Sequence, residues 1–270
     1  MPGTLYLVAT PIGNLEDITL RAVRVLREAD LIACEDTRQT GNLLAHLGIS
    51  KPMISYHEHN EAARTEELIV KLEGGSNIAL VSDAGTPLVS DPGYRLVTAA
   101  IGVGIVVVPI PGASAVLSAL SGAGLPTDAF RFCGFLPAKT GQRKKELEAL
   151  RGEDCTLVFY EAPHRILEAL SDVVAVCGDR PVVVARELTK LHEEFLRGTA
   201  EEVRAQLAAR PSVKGEIVLL IGKGTPVVSD TPIEEAVREL EQKGMPRMDA
   251  IKQVARERGL SKRDVYRQLM

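Results

Sequence analysis

The chain has 270 residues, 45% of them hydrophobic and 25% charged, with a net charge of −4 and no Trp. That length suits two domains of ordinary size, and that balance excludes a disordered chain. The acidic total excludes a uniformly basic nucleic-acid binder, so any polyanion must meet a local patch.

Leu5–Ala9 is a short apolar strand, followed by the turn Thr10–Leu15 with its Pro, Gly and Asn. Glu16–Ala29 has helical spacing, with Ile18, Ala22, Val25 and Leu26 on one face. Leu31–Ala33 is a second strand, ending in the charged run Cys34-Glu35-Asp36-Thr37-Arg38. Asp36 or Thr37 would cap a helix running to about Leu47. A strand at Pro52–Tyr56 leads to His57-Glu58-His59-Asn60, and Glu61–Leu72 reads as helix closed by Gly74-Gly75. Ile78–Val81 is a buried strand feeding Ser82–Gly93, which packs two Gly, two Pro and two Asp into a dozen residues. Tyr94–Ile101 is helix, and Ile105–Val108 is a strand ending in Pro109–Ala115. Strands alternating with helices over short connections specify a parallel α/β sheet.

A helix beginning at Ser114 is broken by Gly122–Pro126, where the sequence places a hinge. Beyond it come strands at Arg131–Gly134, Thr156–Tyr160, Val182–Ala185 and Glu216–Ile221, with helices at Gln142–Leu150, Pro163–Ala175 and Glu201–Ala209. Lys223–Asp230 reads as a linker, and Thr231–Met270 as helix punctuated by Gly244 and Gly259. That tail holds nine basic and seven acidic residues and has the cadence of a helix–turn–helix. The expected domains are 1–112 (α/β), 113–226 (α/β) and a helical tail, 227–270.

Walker, GxGxxG, zinc and G-x-S-x-G motifs are all missing. Successive side chains face opposite ways in an extended segment, and even with His57 and His59 on one face no third ligand is evident, so no metal is expected. The four Cys are widely spaced and read as buried thiols of a reducing cytosol. The N-terminus lacks the pattern of a signal peptide, and the longest apolar run, Ile101–Ile110, is too short to span a bilayer. A cytoplasmic protein without membrane contact is expected. Three turns at strand ends, Thr10–Leu15, Ser82–Gly93 and Pro109–Ala115, bring backbone amides and carbonyls to one edge. They suit a mid-sized polar ligand, and Asp83 and Asp91 favour one with positive charge. These loops carry no Lys, which disfavours phosphate.

The segments VATPIGNLEDITLRA, CEDTR, SDAGTPLVSDPG, PGASA, FYEAPHR and RELTKLHEE, in this order, resemble the bacterial small-subunit ribosomal-RNA 2′-O-methyltransferase I family. That family lies within the tetrapyrrole (corrin/porphyrin) methylase superfamily. The resemblance covers nearly the whole chain. It implies a two-domain tetrapyrrole-methylase-like α/β fold (a class III methyltransferase) with a small helical C-terminal domain. It further implies a homodimer that binds S-adenosylmethionine in the cleft between domains. The implied reaction is 2′-O-methylation of a cytidine in the decoding region of 16S rRNA, free or within the small ribosomal subunit.

Mapped onto this chain, the cofactor-binding positions are Pro11, Gly13, Asp83, Ala84, Gly85, Pro111, Gly112, Ala113, Ser114, Ala115, Tyr160 and Glu161. Ser82-Asp83-Ala84-Gly85 departs from the Gly-Asp-Pro loop of many relatives, with Ser for Gly and Ala for Pro. Candidates for removing the hydroxyl proton or orienting the ribose are Glu35, Asp36 and Lys190, with His57 and Glu161 behind them. Arg38, His164, Arg165, Arg186 and Arg197 are the positions expected to meet RNA.

Overall fold

The computed structural model describes residues 1–224, 231–242, 244–258 and 260–269, the side chains of 256 and 257 apart. The expected linker, the boundary at 226 and the turn at Gly259 fall largely outside the described residues. The chain forms two compact units: residues Met1–Gly122 with Ala185–Phe195, and Ala123–Val184 with Leu196–Met270.

The first unit is built on five parallel strands: β1 (Thr4–Val8), β2 (Leu31–Cys34), β3 (Met53–Ser55), β4 (Ile78–Val81) and β5 (Val106–Ile110). Their order is β3-β2-β4-β1-β5. Because all five run the same way, every loop that follows a strand emerges at one edge. The helices between them are α1 (Leu20–Glu28), α2 (Thr37–His46), α3 (Glu61–Glu73) and α4 (Tyr94–Gly102), followed by α5 (Ala115–Ala123). Two apolar layers enclose the sheet. Ala22, Val25 and Leu26 of α1 pack with Val8, Ile32 and Val81. Leu68, Leu72 and Leu96 pack with Leu5, Leu80 and Ile78. Every residue of β4 is buried, as expected for the middle of a covered parallel sheet.

The helix read over Glu16–Ala29 is two pieces, a 3-10 turn at Leu15–Asp17 and α1. Thr19 separates them, because its hydroxyl accepts the Ala22 N–H at 3.1 Å and so caps α1.

The second sheet has the order β6-β7-β10-β8-β9. Its strands are β6 (Phe130–Phe135), β7 (Thr156–Glu161), β8 (Pro181–Arg186), β9 (Glu194–Thr199) and β10 (Ile217–Ile221). β6 and β7 are parallel, whereas β10 runs antiparallel to β7, so this sheet is mixed. β9 was not legible in the sequence: in Glu194–Thr199 the two apolar residues, Phe195 and Leu196, stand between charged Glu194 and Arg197, so neither a run nor an alternation marks it. Helices α6 (Thr140–Leu150), α7 (Ile166–Cys177) and α8 (Ala200–Ala208) cover one face, with Leu147, Leu170 and Val203 buried against Leu157, Phe159 and Leu219. Within this layer Arg143, with no exposed surface, donates from Nε to Asp172 Oδ2 at 2.7 Å.

The tail is three helices with a core of its own: α9 (Ile233–Gln242), α10 (Arg247–Glu257) and α11 (Lys262–Gln268). Ile233, Val237, Ile251, Val254 and Val265 are its centre. Ser261 caps α11, its side chain accepting the Asp264 N–H.

Candidate active site

Loops following β1, β4 and β5 lie side by side because their strands are neighbours. Thr10 and Gly85 exchange backbone hydrogen bonds of 2.9 and 3.0 Å, which stitches the first two loops together. The Thr10 hydroxyl donates to Ser82 O at 3.1 Å, and the Ser82 hydroxyl donates to Gly85 O at 3.1 Å. The Thr86 hydroxyl donates to Ala113 O at 3.2 Å and ties in the third loop. Gly112 lies where only Gly fits, since a Cβ there would stand 2.9 Å from the Ala9 Cβ. The exposed stretch Pro111-Gly112 therefore runs against the end of β1, and Ala113, Ser114 and Ala115 lead into α5 half-buried.

Asp83 is half-buried, and its own chain uses both carboxylate oxygens. Oδ1 accepts the Asp36 N–H at 3.0 Å and Oδ2 accepts Gln39 Nε2 at 3.2 Å. Asp83 thus ties the β4 loop to the first turn of α2, while the adjacent Ala84 is exposed. Asp91 is different: burial first, then the neighbouring Glu35 carboxylate, push it up to about 6, against a smaller opposing effect of a hydrogen bond from Ser82. Glu35 is raised too, by burial and then by Asp83 and Glu58. Asp36 goes the other way, to about 2, because Arg38 holds it in a side-chain pair at 2.8 Å and donates its backbone N–H. Asp36 is the N-cap of α2, so the cap expected from the sequence forms, and the Arg38 guanidinium sits on that cap.

Residues 185–195, the segment RELTKLHEE with its flanks, belong to the first unit. Lys190 lies across Gly13, where an added Cβ would come within 2.5 Å of the Lys190 Cγ. Lys190 Nζ pairs with Glu187 Oε1 at 2.9 Å. The Thr189 hydroxyl is buried without a hydrogen-bond partner, and it stands 3.0 Å from the same Gly13 position. Arg186 pairs with Glu194 and donates to His192 O at 3.4 Å. Non-glycine residues take positive φ at only four described positions: Leu88 (72°), Ser90 (65°), Glu187 (51°) and Thr189 (66°). Strain of this kind clusters in functional loops. Here it falls in the β4 loop and in the loop over Gly13, a feature that sequence reasoning missed because no Gly marks it.

In the second unit, Glu161 is 2% exposed and accepts from Arg165 Nε at 2.8 Å and from Ala162 N at 2.7 Å. Its Oε2 is buried without a partner. Arg165 also donates to Leu136 O at 3.2 Å, so this guanidinium is held inward. His164 is exposed, and Arg197 Nε donates to Ala123 O at 3.1 Å. Tyr160 lies between Phe132 and Phe135, with ring centroids 4.9 and 5.5 Å away. Among the described residues no group of His, Cys, Asp and Glu is arranged to hold a metal, and no helix is long and apolar enough to cross a membrane.

Two α/β units, the first with a parallel sheet and the second with a mixed one, define the class of this protein. The chain belongs to the Tetrapyrrole (Corrin/Porphyrin) Methylases, whose family model matches residues 4–204. Within that class it is similar to proteins named ribosomal RNA small subunit methyltransferase I. The one from Halalkalibacterium halodurans is 51% identical over 98% of this chain and 93% of its own length. That from Escherichia coli O157:H7 is 48% identical over 98% and 94%. Among solved structures, diphthine synthase superposes with a TM-score of 0.64 at 17% identity, covering 82% of this chain and 90% of its own. The uroporphyrin-III C-methyl transferase from Thermus thermophilus, complexed with S-adenyl homocysteine, gives 0.58 at 20% identity, covering 82% and 97%. These last two likenesses establish the fold.

Proposed function

We propose that this methyltransferase uses S-adenosylmethionine to methylate 16S rRNA, on the 2′-hydroxyl of a cytidine in the decoding region. It acts in the cytoplasm, as a homodimer, on free RNA or the small subunit. The observation that carries this reading is the identity of about half the residues, over nearly the whole chain, with relatives named for small-subunit rRNA methylation.

The residues of the first unit fit the cofactor. S-adenosylmethionine carries net positive charge, and the strand-end edge gathers Glu35, Asp36, Glu58, Asp83 and Asp91 around mutually perturbing carboxyls. A polyphosphate cofactor would be repelled by the same set. The positions that would hold the group are Pro11 and Gly13, Asp83-Ala84-Gly85 and Pro111–Ala115, chiefly by backbone amides and carbonyls. When bound, the cofactor supplies the methyl group on a sulfonium, so the transferred carbon is already activated.

The chain's own residues then have three tasks. Asp83 fixes the spacing between the β4 loop and α2 through its two hydrogen bonds. The loop at Glu187–Lys190 is rigid by virtue of its left-handed residues and its ion pair, and it orients the ribose. Glu35 accepts the hydroxyl proton. Its raised pKa makes it a better base near neutral pH than Asp36, which Arg38 holds as a weak one.

The test is mass mapping of ribose methyls on small-subunit RNA from cells with and without the protein, together with transfer of labelled methyl by the purified chain. A single cytidine methyl that depends on the protein is expected. Transfer to a tetrapyrrole alone overturns the reading.

A further inference from the structure

The sequence is poor in aromatic residues, with five Phe, five Tyr and no Trp in 270. Three of those ten nevertheless meet at one place in the second unit. β6 is irregular where it pairs with β7, its register shifting between Phe132 and Phe135. Gly134 permits the irregularity by taking φ of 69°, which an L-residue rarely adopts. Phe135, just after the shift, is 58% exposed, and its ring contacts Tyr160 at 62° and 5.5 Å. Phe132 contacts the same Tyr160 ring at 64° and 4.9 Å, so Tyr160 is braced by two edge contacts.

β6 and β7 are parallel, so the loops leaving them emerge together. Lys139 on the first loop and His164 on the second are both exposed, and neither is in an ion pair among the described residues. An exposed, braced aromatic surface on two strands whose following loops carry Lys139 and His164 has the chemistry of a nucleotide site: a π-face for the base, with an ammonium and an imidazole donor for its phosphates. A purely apolar partner would leave the basic groups without use. Single exposed apolar side chains are common, and what distinguishes Phe135 is that it follows a strand irregularity and keeps its edge contact with Tyr160.

We propose that Phe135 and Tyr160 form a stacking platform for an unpaired nucleobase of the RNA substrate, with Lys139 and His164 meeting the adjoining phosphates. This rests on the reading of RNA as the substrate and adds how the RNA is gripped. Tyr160, grouped with cofactor-binding positions by sequence resemblance, is thereby assigned to the RNA.

The experiment compares Phe135→Leu and Phe135→Trp with the unaltered protein. Each binds a single-stranded oligoribonucleotide carrying 2-aminopurine, whose fluorescence falls on stacking. S-adenosylmethionine affinity is measured by calorimetry, and thermal melting checks folding. Phe135→Leu is expected to lose roughly 5- to 150-fold in RNA affinity, the range for one stacked base, together with the quenching. Phe135→Trp should restore both, and cofactor affinity should be unchanged. Unchanged RNA binding and rRNA KM in Phe135→Leu overturn the platform, as does equal loss in both variants. A loss of cofactor affinity instead of RNA affinity assigns the rings to the cofactor and likewise overturns it. If the unaltered protein fails to methylate rRNA, the functional reading falls and this ligand with it. If it methylates and Phe135→Leu does so equally well, only the platform falls.

Discussion

Replacing Asp91 with Asn should stabilise the protein above pH 6 and do little below pH 4. Asp91 is moved from 3.8 to about 6 in the folded chain, by burial and by the Glu35 carboxylate. A folded-state pKa above the unfolded one means that folding favours the protonated acid. Its contribution is therefore fully present below the unfolded value and is lost as pH rises through about 6. A shift of two units corresponds to about 3 kcal/mol. The group is only half-buried, so solvent screening reduces this to about 1.5 kcal/mol of destabilisation at pH 8. Asn has nearly the same shape as the protonated acid and carries no charge, so it should recover most of that amount. Thermal melting at pH 4 and pH 8 is the assay, with a gain of about 3–6 °C expected at pH 8 for a chain of this size. Glu35→Gln should reproduce part of the gain by removing the repelling neighbour. Equal melting of Asp91→Asn and the unaltered protein at pH 8, or a gain of the same size at pH 4, would refute the electrostatic reasoning.

Two further substitutions test other parts of the structure. Asp83→Ala frees the Asp36 N–H and the Gln39 amide, so it should cost about 1–2 kcal/mol in stability and weaken S-adenosylmethionine binding by calorimetry; full cofactor affinity would separate the loop from the ligand. Asp172→Ala leaves the fully buried Arg143 without its closest acceptor and should cost about 3–5 kcal/mol by denaturant unfolding. Loss below 1 kcal/mol there would mean that Glu168, 3.6 Å from Arg143, suffices as a counter-charge.

The parallel sheet of the first unit could be read from the chain because buried strands such as Ile78–Val81 are continuous apolar runs and their loops are dense in Gly and Pro. The same rule hid β9, where charged Glu194 and Arg197 flank the only two apolar residues and leave no such run. It also merged the 3-10 turn with α1, since the spacing of Ile18 with Ala22 and Val25 says nothing about where Thr19 caps. The three loops were legible as Gly- and Pro-rich strand ends, and hydrogen bonds join them. The roles within them were less so. Asp83 and Asp36 lie 47 residues apart, and no local pattern predicts that one accepts the other's N–H. Asp91 was visible as a loop carboxylate, but its perturbation depends on Glu35 from another strand end. Glu161 and Arg165, expected to meet the cofactor and the RNA, are an ion pair across the turn from β7 to α7, where no helical spacing announces it. Phe135 was overlooked because a lone exposed Phe carries no weight until its edge contact with Tyr160 is seen.

The four left-handed non-glycine residues have a consequence for how this protein can be improved or will drift. Each holds about 1–2 kcal/mol of unfavourable backbone energy, and the pairs Leu88/Ser90 and Glu187/Thr189 sit in two loops of one unit. Against the 5–15 kcal/mol by which folded chains usually outlast unfolding, that is a sizeable standing load. Glycine or asparagine at Ser90 or Thr189 would lift part of it and raise the melting temperature. The same exchange would widen the range of shapes each loop samples. Selection for heat resistance and selection for fast turnover should therefore pull these four positions in opposite directions.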